Sequence, residues 1–369
     1  MDAHEHTKMR GLHAHSKWQA IVTWVRTHKR ITAAMAIVLT CLLSAGAYAL
    51  FAPSPDSPIK VPLTHEVKKK KVEQYYSPLT GLPVANEAAT KSNVTAIMIE
   101  NSPDARPQSG LQQADVVYEA IAEGGITRFA ALYQQQRPEL IGPVRSLRMY
   151  YIDWTTPYDP AVAHVGGSLF ALQEIRNGSH KDLDQFSNPG AFWRTSDRYA
   201  PHNVYTSFAS LDELNASRGY AQSNPQPIAR RTTVPGGAVA NQVNVTMSGP
   251  TYNSAWQYDA GSKTYLRSQA GAPHTDQEAG HISSQVVVVL KAQMNSVMED
   301  GVRENYQTTG TGDAVIFAEG KAHGVIWHKE NMRKQMFFTD KDGKSFPLPR
   351  GKTWISVVPV NNGGDVSWQ

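Results

Sequence analysis

From Ile31 to Ala52 the chain runs for 22 residues without a charge, ITAAMAIVLTCLLSAGAYALFA. About 20 apolar residues cross the hydrocarbon core of a bilayer as a helix, so this segment is predicted to be a single transmembrane anchor. Lys8, Arg10, Lys17, Arg26, Lys29 and Arg30 precede it, and positive charge beside a span tends to stay inside. Residues 1–30 are therefore expected to form a basic cytoplasmic tail, and residues 53–369 to be extracytoplasmic. The same letters admit two other readings. Ala47-Tyr48-Ala49 has the form of a cleavage site, which would make the segment a removable signal peptide. Val38-Leu39-Thr40-Cys41 is a poor match to a lipoprotein box, because threonine precedes the cysteine and the apolar run continues past it. The length of the run favours the uncleaved anchor.

The anchor also separates two charge regimes. Residues 1–72 hold 11 Lys/Arg and 4 Asp/Glu, so the formal +4 of the whole chain leaves 25 basic against 28 acidic residues from 73 onward. A net charge near −3 lacks the basic footprint that neutralising phosphates would require, and nucleic acid is not expected as a partner. Cys41 is the one cysteine, so an exported fold has no disulfide to rely on and must be held by its core. The Pro- and Lys-rich segment 53–76 reads as an extended tether. Its run Lys68 to Lys71 has the charge to touch anionic lipid or wall polymer, but a solvated linker is the favoured reading.

Beyond the tether the pattern predicts an α+β protein, a mixed α/β N-terminal domain followed by a mostly antiparallel β C-terminal domain. NVTAIMIE, DVVYEAIAE and TRFAALYQQ read as strands, the last two joined at Gly124-Gly125. Leu147, Tyr150, Tyr151 and Trp154 recur at helical spacing, which predicts a helix over 145–158. AVAHVGGS reads as a buried strand turning at Gly166-Gly167 into a helix over 169–176. This first domain covers 77–225, and a Gln-, Pro- and Gly-rich connection covers 226–242. Over 243–362 the segments TYLRSQ, QVVVVLKAQM, AVIFAEGKAHGVIWH, MFFTDKDGKSFPLP and TWISVVPV are strand-like, with hairpin turns at Glu319-Gly320 and Asp342-Gly343.

Several of these stretches resemble a known family. SPLTGLPV, IENSPDARPQSGLQQADVVYEAIAEGGITRFAALYQ, IGPVRSLRMYYID, HVGGS and APHNVYTS follow the order and spacing of the YerB-like family, domain of unknown function 3048. YLRSQAGAPHTDQEAGHI, GVIWHKENMRKQMFFTDKDGKSFPL and GKTWISVVP are similar to its C-terminal domain. The resemblance runs from Ser77 to Pro359. It implies a bacterial envelope protein, often a lipoprotein, and no settled activity.

The chemistry must then come from the residues. Arginine offers a planar fork of donors suited to carboxylate or phosphate, and Arg145 and Arg148 lie three apart just after Gly142-Pro143. If they open a helix, its first N–H groups would add to an anion site. Arg128, Arg145 and Arg148, with Gly166, Gly167, Ser168 and Asn203, are the expected ligand-binding residues, for a wall polymer or another anionic envelope ligand. Pairing of the same arginines with acids of their own domain is the competing reading. His164 and His202 are candidate general bases with Glu123 as a candidate carboxylate; Glu119 and Glu123, four apart, would share a face of a strand. Ser168 lacks the G-x-S-x-G elbow, and no phosphate loop or GxGxxG fingerprint occurs. His274-Thr275-Asp276 and His281 match no metal-site spacing, so neither metal nor cofactor is expected. Trp256, Trp327 and Trp354 suit the core of a β domain or a sugar-stacking face. The expected function is binding or scaffolding at the envelope. Its rivals are a hydrolase or transferase on wall polymer and a structural partner of another membrane protein.

Overall fold

The structure, a computed structural model, describes residues 18–51, 73–296 and 304–369. The basic run Lys68 to Lys71 and most of the tether and tail lie outside the described residues. The chain divides into two units, Met1–Lys71 and Val72–Gln369.

In the first unit, helix α1 spans Lys29–Phe51, and its Lys29–Tyr48 portion is long and apolar enough to cross a membrane. Ile37, Leu39 and Leu43 are more than half exposed on it. A helix that is apolar all round needs an apolar surrounding, which a bilayer supplies and water does not.

The second unit is built on an 11-stranded sheet. Its strands are β1 (Thr95–Glu100), β2 (Val116–Glu123), β3 (Ile126–Tyr133), β4 (Ala161–His164), β5 (Lys181–Asp184) and β6 (Ala238–Val239). A smaller sheet holds β7 (Gln242–Thr246), β8 (Ser254–Asp259) and β9 (Thr264–Gln269). The large sheet continues with β10 (Val286–Ala292), β11 (Gly310–Ala318), β12 (Lys321–Lys329) and β13 (Thr353–Pro359). The order across it is β6-β12-β11-β10-β13-β2-β3-β1-β4-β5, with Phe337–Thr339 beside β12. Strands from both sequence halves thus share one sheet, joined where β13 runs parallel to β2. The hairpins of the second half are antiparallel as its pattern predicts, while β10 and β13 pair in parallel.

Each face of this sheet carries a core. Val286, Val288 and Leu290 of β10 point to the face covered by α2 (Met149–Thr155) and α3 (Leu169–Ile175). Val287 and Val289 point to the opposite face, where the smaller sheet and α4 (Phe208–Ser217) lie. A strand buried on both faces reads as an unbroken apolar run, which is why QVVVVLKAQM is so conspicuous. Trp256, Trp327 and Trp354 are at most 2% exposed and belong to these cores, so they offer no face for a sugar.

Two expectations are corrected. Residues 145–148 are not helical: Arg145 N–H donates to Met98 O at 2.8 Å and Leu147 N–H to Gly166 O at 2.9 Å, so the segment lies extended between the end of β1 and the HVGGS turn. The helix starts at Met149 and is seven residues long. Pairing with a free strand edge outcompetes the helical periodicity there. Glu119 and Glu123 do not share a face, because a register shift between Ile121 and Glu123 marks a β-bulge, which turns the chain over.

A buried charge network ties the halves together. Glu119 on β2 accepts from Arg267 Nη2 at 2.7 Å, Trp354 Nε1 at 2.9 Å and Ser356 Oγ at 3.0 Å. Both Glu119 and Arg267 are fully buried, and the guanidinium sits 4.7 Å from the Trp354 ring centre. Beside it His274 is held neutral: burial and then the Arg267 and Arg106 charges push it well below its ordinary value. Its Nε2 donates to Gln108 Oε1 at 2.8 Å, so the HTD stretch is part of this network.

Two lysines set an alkaline signature. Burial lowers Lys329, whose Nζ donates to the carbonyls of Asn331, Met332 and Lys334, to about 8. Burial likewise lowers Lys352, whose Nζ donates to Gln112 O, to about 8. Unfolded lysine titrates near 10.4, so between pH 8 and 10 the unfolded chain binds more protons and stability rises with pH. Above about pH 10 the buried tyrosines Tyr118, Tyr133 and Tyr151, raised by burial, reverse the trend. Denaturant midpoints across this range should therefore peak near pH 10, and Lys329→Met with Lys352→Met should flatten the rise.

Candidate functional site

Strands β1, β2, β4 and β5 run the same way, since β1, β4 and β5 pair in parallel and β3 is antiparallel to both β1 and β2. Their C-terminal ends, Glu100, Glu123, His164 and Asp184, therefore lie along one edge. Loops leaving that edge are where ligands bind in open sheets of this kind. Most of the residues expected from sequence gather there.

The first group is two arginines on one acid. Arg128 Nη2 lies 3.1 Å from Glu123 Oε1, and Arg148 Nη2 bonds Glu123 Oε2. Arg128 Nη1 also donates to Ser146 O at 2.9 Å, and Arg148 Nη1 to Leu147 O at 2.8 Å. Arg128 and Arg148 are 2% and 4% exposed, and their Nε atoms have no hydrogen-bond partner among the described residues. Burial alone would raise the Glu123 carboxyl, but the two guanidiniums outweigh it and hold it down at about 2. Formally the group carries one positive charge in excess at a point where the Glu123 side chain is 32% exposed.

The second group lies next to it, because Glu100 and Arg128 are cross-strand partners. Glu100 accepts from His202 Nδ1 at 2.8 Å and Ser102 Oγ at 2.9 Å, and Arg145 Nε is 3.3 Å from its other oxygen. His202 Nε2 makes no hydrogen bond among the described residues, and the side chain is 23% exposed.

The third group is closed. His164 is fully buried; Nδ1 donates to Gly166 O at 2.7 Å and Nε2 to Asp182 Oδ1 at 2.9 Å. With both nitrogens engaged, it has none to offer a substrate proton. Gly166 and Gly167 make the turn: Gly166 has φ +59, and a Cβ on Gly167 would lie 3.1 Å from Leu147 O. Ser168 is 2% exposed, and its Oγ has no hydrogen-bond partner among the described residues. It precedes a helix of seven residues, as Arg148 does, so helix-end donors add little at either point. Asn203 is taken up by its own loop, accepting from Arg194 at 2.7 Å and donating to Thr195 O and Arg198 O.

The residues that organise the edge without being foreseen are Asp182, Asp184 and Arg176. Asp184 is fully buried and bonds Arg176 Nη2 at 2.6 Å. The alternation in KDLD is the only local sign of the two aspartates, and nothing local marks Arg176. Three surface depressions, of 340, 610 and 690 Å³, lie around Asn188–Ser217, Gln74–Arg350 and Asn244–Gly271. None of them includes the arginine pair, which sits on an open edge.

Two family models cover most of the globular unit: the N-terminal domain of a protein of unknown function (DUF3048) matches residues 79–221, and the C-terminal domain of the same family matches 243–355. The chain belongs to this family. A similar relative is YerB, a candidate lipoprotein of Bacillus subtilis (strain 168), 33% identical over 297 residues, 79% of this chain and 88% of the relative. The crystal structure of YerB protein from Bacillus subtilis superposes with a TM-score of 0.72 at 31% identity, covering 79% of this chain and 99% of that one. The two chains thus share a fold, and the family's description assigns no activity to it.

Proposed function

We propose that this family member is a membrane-anchored envelope protein, with residues 53–369 outside the cytoplasm, that binds an anionic ligand at the strand-end edge of its large sheet. The observation that carries the reading is that Arg128 and Arg148 share the single carboxylate of Glu123. One positive charge is left over at a partly open position, with guanidinium donors in the fork geometry that suits carboxylate and phosphate. An open edge fits a segment of polymer better than an enclosed small molecule. The test is thermal unfolding of the full-length chain in phosphatidylcholine nanodiscs with added phosphate or D-lactate. A ligand at about a hundred times its dissociation constant should stabilise by roughly 2.7 kcal/mol, and Arg148→Ala should lose that shift. No shift in the wild type refutes the site. Protease added outside intact spheroplasts should digest the globular unit; full protection would reverse the orientation.

A second reading, hydrolysis or transfer on wall polymer, is favoured by His202. Glu100 fixes its Nδ1 and leaves Nε2 directed away from the pair, the arrangement of an oriented general base. Release of reducing ends or phosphate from purified wall, lost in His202→Gln, would support it; no release by the wild type would end it.

A further inference from the structure

What carries the anion is indicated by an aromatic ring on a turn connected to the arginine segment. Phe186, in the turn after β5, is 69% exposed, yet it is not loosely held. Its N–H donates to Asp184 Oδ1 at 3.2 Å, and Gly166 N–H donates to the same oxygen at 3.0 Å. Arg176 fixes the other oxygen of Asp184 at 2.6 Å. One buried carboxylate thus ties the Phe186 turn to the HVGG turn. The ring then lies against bare backbone: a Cβ on Gly166 would come 3.2 Å from Phe186 Cε2. Glycine permits both the left-handed φ and this close approach.

The Phe186 turn is connected to the arginine pair through one backbone bridge. Gly166 is followed by Gly167, which bridges Leu147, and Arg148 is the next residue. Phe170, 45% exposed, lies on α3, which follows the same turn. Isolated exposed apolar residues are ordinary on protein surfaces; Phe186 stands in a turn hydrogen-bonded, through Asp184, to the glycine turn that pairs with the residue before Arg148. A ring fixed in advance loses little entropy on binding.

We propose that this edge binds a sugar ring that carries an acid, the ring stacking on Phe186 and its carboxylate or phosphate meeting Arg148 and Arg128. The face of an aromatic ring carries negative potential and attracts the polarised C–H groups of a pyranose. Asp182 and Glu123, with side chains 22% and 32% exposed, offer acceptors for hydroxyls. The same two carboxylates oppose an anionic lipid surface. The acidic balance from residue 73 onward, 28 acidic against 25 basic residues, opposes nucleic acid. This inference rests on the anion reading above and specifies the ligand class.

Calorimetric titration of the full-length chain in phosphatidylcholine nanodiscs separates the two. The probes are N-acetylmuramic acid, glucose 6-phosphate, D-lactate, inorganic phosphate and neutral N-acetylglucosamine. The acidic sugars are expected to bind about tenfold more tightly than the matching sugar-free anion, the equivalent of about 1.4 kcal/mol, with muramate or the phosphate ester preferred according to the source of the acid. Phe186→Ala should erase that advantage and leave lactate and phosphate binding unchanged, whereas Arg148→Ala should abolish both. Acidic sugars no tighter than their bare anions, or an unchanged Phe186→Ala, would overturn the sugar proposal while the anion site stands. Binding of no probe would overturn both. A Phe186-dependent change in stability on replacing phosphatidylcholine with phosphatidylglycerol, with no sugar preference, would assign the ring to the bilayer and overturn the proposal as well.

Discussion

Arg267→Ala should cost the globular unit about 3–5 kcal/mol, the usual loss when one partner of a buried ion pair is removed. Glu119 would be left charged and fully buried, with Trp354 Nε1 and Ser356 Oγ as its remaining donors. Against a total stability of about 5–15 kcal/mol, such a loss brings the variant near unfolding, and a drop in Tm of about 10 °C or more is expected. Because Arg267 lies on β9 of the smaller sheet and Glu119 on β2 of the large one, the pair staples the two sequence halves. Replacing both partners removes the orphan charge, so Glu119→Gln with Arg267→Met should lose less than the sum of the single changes. A loss under about 1 kcal/mol for Arg267→Ala would show that water reaches Glu119 and that the network is not what joins the halves.

The second large effect is at Glu123. Glu123→Gln leaves Arg128 and Arg148, 2% and 4% exposed, without a counter-charge. The Glu123 side chain is 32% exposed, so a loss at the lower end of about 3–5 kcal/mol is expected. The wild type should show the same loss in acid. The folded carboxyl sits at about 2, below the ordinary glutamate value of 4.5, so its contribution is present in full above pH 4.5 and disappears as pH falls through 2. Glu123→Gln should lack that dependence. It should also bind phosphate more tightly than the wild type, because the internal carboxylate no longer competes for the two forks.

The parts of this account that could be read in the sequence are those set by local pattern. The charge-free run Ile31–Ala52 gave the helix Lys29–Phe51 within two residues, and QVVVVLKAQM gave β10 because burial on both faces leaves an apolar run. What could not be read depends on residues far apart in the chain. Nothing near Glu119 signals Arg267, 148 residues away, and nothing near Val116 signals the parallel pairing with Thr353 that merges the halves into one sheet. The bulge before Glu123 leaves no mark on the alternation of VVYEAIAE, so the carboxylate was assigned to the wrong face. At the site, the arginines, the glycine turn and His202 were legible as residue types. Their grouping was not: His164 is consumed by Asp182, and Arg145 by Glu100, through partners on other strands.

The most direct test of the anion site is the unfolding temperature of Glu123→Gln as inorganic phosphate is raised at constant ionic strength, with Glu123→Gln/Arg148→Ala alongside. The account predicts that phosphate restores most of the stability lost in the single variant, about 2.7 kcal/mol at a hundred times its dissociation constant, and none of it in the double variant. An unfolding temperature that does not move with phosphate in Glu123→Gln, or moves equally in both, would mean that Arg128 and Arg148 serve only to hold Glu123 and the turn in place.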